Sequence, residues 1–174
     1  NAPIYGTKLT LGILEGKLEE QNMLNTCELN VVEQGETIKL DKLKVEFIRT
    51  NHSIADSCAL AIHTPIGIIV HTGDFKVDFT PVDGKVIDLH RLSQLGKQGV
   101  LLLMADSTNS GHPGYTMSEK TVGEKLDNLF SKGNGRIIVA TFASNIHRLQ
   151  QIINSSIKYG RKIAFSGRSM EKIS

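Results

Sequence analysis

Two residues near the middle of the chain have metal-binding side chains, and each follows a predicted strand. His52 follows the strand Val45–Asn51, and Asp74 follows the β-branched run Gly67–His71 after the turn residues Thr72-Gly73. One imidazole and one carboxylate at the ends of two strands can meet on the same rim of a sheet. Zinc binds His nitrogen and Asp oxygen at about 2.0–2.2 Å. The sequence therefore predicts half of a metal site at this rim.

Two ligands do not complete a metal site. A structural zinc takes about four protein ligands, and a catalytic zinc takes about three plus water. The alternative is that His52 is an ordinary loop histidine and that Asp74 forms a turn, its carboxylate accepting hydrogen bonds from backbone N–H groups. The residue types alone leave both interpretations open.

A second candidate site lies at the start of a predicted helix. Ser144 and Asn145 precede an apolar helical pattern that ends at Gly160, and His147 lies one turn inside it. The free N–H groups and the positive end of a helix favour an anion, above all a phosphate. The alternative is that these residues only cap the helix. The chain contains no GxxxxGK[ST] loop, which excludes the common site for nucleoside triphosphates.

Composition sets broad limits on function. The 174 residues include 40% apolar residues, enough for a core, and the net charge of +2 neither demands nor excludes nucleic acid. The longest apolar run, Val100–Ala105, is too short to cross a membrane. Cys27 and Cys58 have no CxxC spacing, so we expect reduced thiols. These features predict a cytoplasmic protein without a membrane partner.

The first half of the chain is expected to be rich in strands. A helix is predicted from Thr7 to Glu20, and residues 28–33 and 36–41 are predicted to form a hairpin around Gln34-Gly35. Cys58–Thr64 is another predicted strand.

The second half alternates strands and helices, which predicts a parallel sheet. Its predicted elements are a fully buried strand at Val100–Ala105, a helix from Ser118 to Gly133, a strand at Arg136–Ala143, the helix after Asn145 and a strand at Arg161–Phe165. Open α/β sheets bind ligands beyond the carboxyl ends of their strands, where Asp74, Asp106 and Ser144-Asn145 are expected.

Four segments, taken in order, carry a resemblance to a known family. They are Asn51–Ser57, His71–Lys76, Ala105–Ser110 and Thr141–Arg148. Together they resemble the metallo-β-lactamase-fold nucleases of the β-CASP group, and within it the ribonuclease J family. The resemblance implies an α/β fold in which residues 1–115 are part of a metallo-β-lactamase αββα sandwich. Residues 116–174 would then be part of a parallel-sheet β-CASP domain.

The resemblance also implies a function. Members of this family use two zinc ions in a cleft between the two domains to hydrolyse RNA. They act as 5′-to-3′ exonucleases and as endonucleases in mRNA decay and rRNA maturation. RNA is therefore the expected partner, the cytoplasm the expected location and a homo-oligomer the expected assembly.

The matching motifs suggest a role for each candidate residue. His52 corresponds to a ligand of one zinc, and Asp74 to a catalytic carboxylate that bridges both. Asp106 opens an acidic motif and would orient ligands or water during catalysis, while Asp56 is expected to accept a hydrogen bond from a ligand imidazole. The expected RNA phosphate contacts are Ala143, Ser144, Asn145 and His147.

The chain also departs from the family pattern. The ligand cluster His-x-His-x-Asp-His and the downstream histidine motifs are absent from it. We therefore expect an internal piece of a longer protein that binds zinc weakly and has no appreciable activity alone. Three alternatives stay open: a β-CASP nuclease acting on DNA, a non-catalytic RNA-binding or assembly module with this fold, and an unrelated α/β domain.

Overall fold

The computed structural model describes the backbone of residues 2–173 and the side chains of residues 2–171. Its strands and helices form a mixed α/β arrangement, which confirms the predicted α/β fold class. In chain order the elements are β1 (Ile4–Gly6), α1 (Lys8–Glu20), a 3-10 turn (Leu24–Thr26), β2 (Leu29–Val31), β3 (Thr37–Leu40), β4 (Leu43–Arg49), β5 (Cys58–Thr64), β6 (Gly67–His71), α2 (Leu89–Gln98), β7 (Val100–Met104), α3 (Glu119–Lys132), α4 (Ile146–Lys158) and α5 (Arg168–Ile173).

The larger sheet has five strands in the order β3-β4-β5-β6-β7. β3 to β6 form an antiparallel meander, and β7 joins β6 in parallel. A parallel neighbour requires a crossover connection, and α2 lies within that connection. Side chains from β4, β5 and β6 pack with Leu95 of α2 in one buried apolar cluster, whose members are Ile48, Ala59, Ala61, Val70 and Leu95.

The predicted hairpin around Gln34-Gly35 is wrong. β2 pairs in parallel with β1, and β3 pairs instead with β4 through a reversal at Asp41, whose φ is +52°. The Gly35 amide donates to the carbonyl of Phe47 on β4, so the turn is attached to the larger sheet. The two segments on either side of Gly35 therefore lie in different sheets.

The predicted helices of the second half are present, but the two predicted strands between them are not. The Ser118 side chain caps α3 and the Asn145 side chain caps α4, as the sequence predicted. Residues 136–143 and 161–165 form no strand ladder. The Arg161 guanidinium donates to the carbonyls of Gly133 and Gly135, just before residues 136–143, so a side chain links the starts of the two segments.

The prediction that β7 is fully buried is also wrong. β7 is the outer strand of the larger sheet in the described part of the chain, and four of its side chains are 47–61% exposed. A continuous apolar run is typical of a strand whose two faces are both covered. β7 has this composition, but these four side chains are not covered in the described part of the chain. The αββα sandwich and the domain boundary near residue 115 stay predictions. No helix among residues 2–173 is long and apolar enough to cross a membrane.

Candidate active site

Asn51 fixes the loop that carries His52. Asn51 is buried, its side-chain oxygen accepts from the Ile87 amide at 2.8 Å, and its side-chain nitrogen donates to the Lys85 carbonyl at 2.6 Å. The Asn51 carbonyl also accepts from the Lys76 amide at 2.7 Å. Because β4 ends two residues earlier, these bonds hold the start of the following loop against two other segments. The backbone that leads into His52 is therefore held in a defined position.

Asp74 follows a turn that only glycine adopts easily. The Thr72 amide donates to the carbonyl of Met104 on β7, and Gly73 has a φ of +59°. A Cβ on Gly73 would lie 3.2 Å from the Cys58 carbonyl oxygen, so both the backbone conformation and the space favour glycine. The turn leaves the Asp74 side chain 76% exposed beside His52, whose Nε2 lies 3.8 Å from Asp74 Oδ2.

Asp106 lies close to His52. Its amide donates to Thr72 Oγ1 at 3.0 Å, which joins the segment after β7 to the turn after β6. The hydroxyl and the amide of Thr108 hydrogen-bond the Asp106 carboxylate and lower its pKa; the Phe75 amide and the neighbouring His52 lower it further. The structure therefore places Asp74 on one side of His52, at 3.8 Å, and Asp106 beside the same imidazole.

The start of α4 opens onto the same cleft. The cleft has a volume of about 250 Å³, and His52, Asp106 and His147 line it together with Lys76 and Glu119. The His147 amide approaches the Ser53 carbonyl at 3.4 Å, which connects α4 to the loop of His52.

Much of the hydrogen-bonding capacity at the start of α4 is used within the chain. The Ile146 amide donates to the Ser144 carbonyl, and the Arg148 amide donates to Asn145 Oδ1 at 3.1 Å. With the His147 amide also engaged, a phosphate here would meet the exposed Ser144 and the half-buried His147 more readily than free amides.

Two of the predicted site residues lie apart from this group. The Asp56 carboxylate, expected beside an imidazole, is 3.6 Å from Lys85 Nζ. Ala143 precedes the cap of α4 and is not among the residues that line the cleft, and the same holds for Asp74, Ser144 and Asn145, although Asp74 contacts His52, which does line it. In the described part of the chain, no group of three or more His, Cys, Asp or Glu side chains has the arrangement of a metal site.

Sequence reasoning missed most of the residues that line the cleft, among them the polar residues Asn51, Lys76, Asp78 and Glu119. Asn51 and Lys76 were within the matching segments, but nothing in their residue types marked them as cleft residues. Glu119 is the first residue of α3 and forms a bidentate pair with Arg148 of α4, at 2.7 and 3.1 Å. Acidic residues in a first helical turn are common, so only the helix packing distinguishes this one.

Comparison with known proteins gives a consistent result. Residues 134–174 match the family described as "Ribonuclease J, beta-CASP domain". The chain is 49% identical to ribonuclease J of Synechocystis over 96% of its own length and 26% of that protein's. It is 49% identical to ribonuclease J of Thermus thermophilus (99% and 30%), and 40% identical to ribonuclease J2 of Bacillus subtilis (99% and 31%). The chain thus spans less than a third of each relative, and the predicted resemblance to ribonuclease J is confirmed.

A solved structure supports the fold alone. A protein of unknown function from Enterococcus faecalis superposes with a TM-score of 0.65 at 23% identity, covering 88% of this chain and 39% of that one.

Proposed function

We propose that this chain forms part of a ribonuclease that hydrolyses RNA phosphodiesters at the cleft containing His52 and Asp106. The observation that carries the proposal is the convergence of three strand ends. His52 and Asp106 come from different parts of the sequence and line one cleft with His147 of α4, and Asp74 lies 3.8 Å from His52, in a chain 49% identical to ribonuclease J of two bacteria.

The metal part of the proposal rests on donor chemistry. An imidazole nitrogen and a carboxylate oxygen 3.8 Å apart are ligand types that zinc prefers. Their number is too small, because a catalytic zinc needs about three protein ligands and the described residues offer no group of three. We therefore propose that His52 and Asp74 supply part of a zinc site that other parts of a longer protein complete.

The other candidate residues have roles that follow from their contacts. Asp106 accepts hydrogen bonds from Thr108 and lies beside His52, which supports a role for its carboxylate in orienting the imidazole or a water molecule. We propose that His147, which lines the cleft, and the exposed Ser144 just before α4 contact a substrate phosphate. The same proposal includes further properties of the whole protein. We propose that it acts as a 5′-to-3′ exonuclease and as an endonuclease in the cytoplasm, that it assembles as a homo-oligomer, and that it functions in mRNA decay and rRNA maturation.

A second candidate function is a non-catalytic RNA-binding or assembly module. The observation that favours it is the incomplete ligand set among the described residues. Completion of the site by flanking sequence separates the two candidates.

The test compares the 174-residue chain with the same chain extended by its natural flanking sequence to the length of its relatives. We expect stoichiometric zinc and cleavage of 5′-monophosphorylated RNA in the long form, and weak zinc binding without appreciable cleavage in the short form. In the long form, Asp74→Asn should lower cleavage by at least about 100-fold, a loss of roughly 2.7 kcal/mol or more in transition-state stabilisation.

The matched control is Asp127→Asn. Asp127 is also a surface carboxylate, but it lies on α3 and pairs with Lys158 at 2.8 Å, outside the cleft. A long form that carries no zinc and cuts no RNA would favour the non-catalytic module. Cleavage of DNA in preference to RNA would instead favour the alternative nuclease.

A further inference from the structure

The chain that leads into α3 is bonded to the segment that follows Asp74. Lys76 Nζ donates to the Met117 carbonyl at 2.8 Å, and Ser118 Oγ donates to the Thr80 carbonyl at 2.8 Å. Because these bonds join positions 41 and 38 residues apart in sequence, only the folded chain creates them. The start of α3 is therefore fixed to the segment of one candidate metal ligand.

The first residue of α3 is also bonded to the first turn of α4. The two carboxylate oxygens of Glu119 accept from Arg148 Nε and Nη2 at 2.7 and 3.1 Å, and Gln151 Nε2 donates to the Glu119 carbonyl at 3.3 Å. His147, which lines the cleft, directly precedes Arg148. Glu119 thus connects the segment after Asp74 to the part of α4 that faces the cleft.

Glu119 carries the same sign of charge as the proposed substrate, although it lines the cleft. An unpaired carboxylate would repel a phosphate there. The Glu119 side chain is 15% exposed, and both of its oxygens accept from the Arg148 guanidinium, which offsets its charge. The two parallel bonds also fix the direction of the guanidinium plane. This arrangement suits Glu119 to hold Arg148 and makes it a poor direct contact for RNA.

A second bond between α4 and the loop of His52 is weaker. The His147 amide donates to the Ser53 carbonyl at 3.4 Å, longer than the distance of about 2.7–3.2 Å that is usual for such bonds. The bidentate bond of Glu119 is shorter, and both of its partners are charged, which makes it the stronger of the two. Without the charge of Glu119, the start of α4 would rely on the weaker bond.

We propose that Glu119 is a positioning residue that acts through Arg148 to hold His147 where it meets a substrate phosphate. The inference rests on the proposed function and adds to it the residue that sets the place of α4. A shift of about 1 Å in a positioning group can cost on the order of 100-fold in rate. Since the phosphate contact is made in the bound substrate and in the transition state alike, its loss weakens substrate binding and leaves the chemical step nearly unchanged.

The test uses the protein at its full natural length and measures the steady-state cleavage of 5′-monophosphorylated RNA. Glu119→Gln keeps the size of the side chain and removes its charge. It should raise KM by roughly 10- to 100-fold, with kcat within about 2-fold of the parent value and the zinc content unchanged. Arg148→Lys is the second variant and should have the same effect, because an ammonium group cannot reproduce the two-bond geometry.

The matched control is Asp127→Asn. The Asp127 carboxylate pairs with Lys158 at 2.8 Å, so this variant also removes an ion pair between α3 and α4. Lys158 is the last residue of α4, at the opposite end of the helix from His147. The KM of Asp127→Asn should therefore stay within about 2-fold of the parent value.

A double-mutant cycle with His147→Ala shows whether Glu119 acts through this histidine. In a protein that already carries His147→Ala, Glu119→Gln should raise KM by less than about 3-fold more, since no imidazole is left to position. Two groups that act independently would instead give effects that multiply.

Several outcomes overturn the proposal. An equal rise in KM for Asp127→Asn would assign the effect to the general packing of α3 on α4. A lower free energy of unfolding in Glu119→Gln with unchanged KM would leave the pair a purely structural role. Loss of zinc, a fall in kcat at unchanged KM, or a full effect in the His147→Ala protein would each contradict positioning of the phosphate contact.

The activity of the parent separates this inference from the proposed function. If the parent cuts RNA and Asp74→Asn does not, the proposed function stands and any of these results removes only the role of Glu119. A parent that cuts no RNA overturns both.

Discussion

Replacing Asn51 with alanine tests how the loop of His52 is positioned. Asn51 is 8% exposed and its side chain makes two hydrogen bonds, to the Ile87 amide and the Lys85 carbonyl. Alanine leaves both backbone groups without these partners, and an unsatisfied buried polar group costs about 1–3 kcal/mol. Water that reaches the loop can hydrogen-bond these two groups in part and reduce the summed cost. We therefore expect Asn51→Ala to lower the free energy of unfolding by about 2–4 kcal/mol.

The assay is equilibrium unfolding in urea, followed by circular dichroism. The matched control is Asn154→Ala on the exposed surface of α4, where the side chain makes one hydrogen bond to Gln150. That variant should change the free energy of unfolding by no more than about 0.5 kcal/mol. In the full-length protein, Asn51→Ala should also reduce RNA cleavage, since the His52 backbone loses its anchor. A loss of stability equal to that of Asn154→Ala would refute the reasoning.

The remaining predictions concern three other positions. The bidentate bond from Arg91 lowers the pKa of Glu46, so this carboxylate stabilises the fold at neutral pH and loses that contribution as pH falls through its lowered folded-state value. Glu46→Gln should therefore cost about 1–3 kcal/mol in urea unfolding at pH 7 and much less at acid pH, and an equal cost at both would contradict this assignment. Gly73→Ala should cost about 1–2 kcal/mol from its positive φ, plus the contact at the Cys58 carbonyl. Gly84 has a φ of +72° and open space around a Cβ, so Gly84→Ala measures the cost of the backbone conformation alone. If Gly84→Ala lowers the free energy of unfolding more than Gly73→Ala does, the contact with the Cys58 carbonyl makes no contribution. Burial raises the pKa of the Cys58 thiol to about 11, so alkylation by iodoacetamide at neutral pH should be far slower in folded than in urea-unfolded protein, and equal rates would rule this out.

Local sequence signals predicted the parts of the fold whose partners are close in the chain. The helices α3 and α4 begin at the expected caps because the Ser118 and Asn145 side chains accept bonds from amides two and three residues ahead. β5 and β6 match the predicted strands because a short turn pairs them with each other. These interactions depend on neighbours that can be read directly from the sequence.

Predictions that depended on a distant partner were less successful. The segment around Gly35 has good turn residues, yet its two sides pair with β1 and with β4. β7 is as apolar as a buried strand but is more than half exposed at Leu101 and Leu103. Whether a strand is buried depends on which other elements pack on its faces, and its apolar composition alone does not specify those elements.

The candidate site shows the same division. The sequence by itself determined that His52, Asp74 and Asp106 follow strand ends, since β-branched runs and turn residues mark those positions. It also determined the resemblance to ribonuclease J. Only the tertiary structure decided that Asp56 pairs with Lys85, that Glu119 pairs with Arg148, and that the Ser118 hydroxyl bonds to the Thr80 carbonyl. The physical reason is that strand ends and caps are local, whereas these contacts depend on which distant segments the packed sheet and helices bring within hydrogen-bond distance.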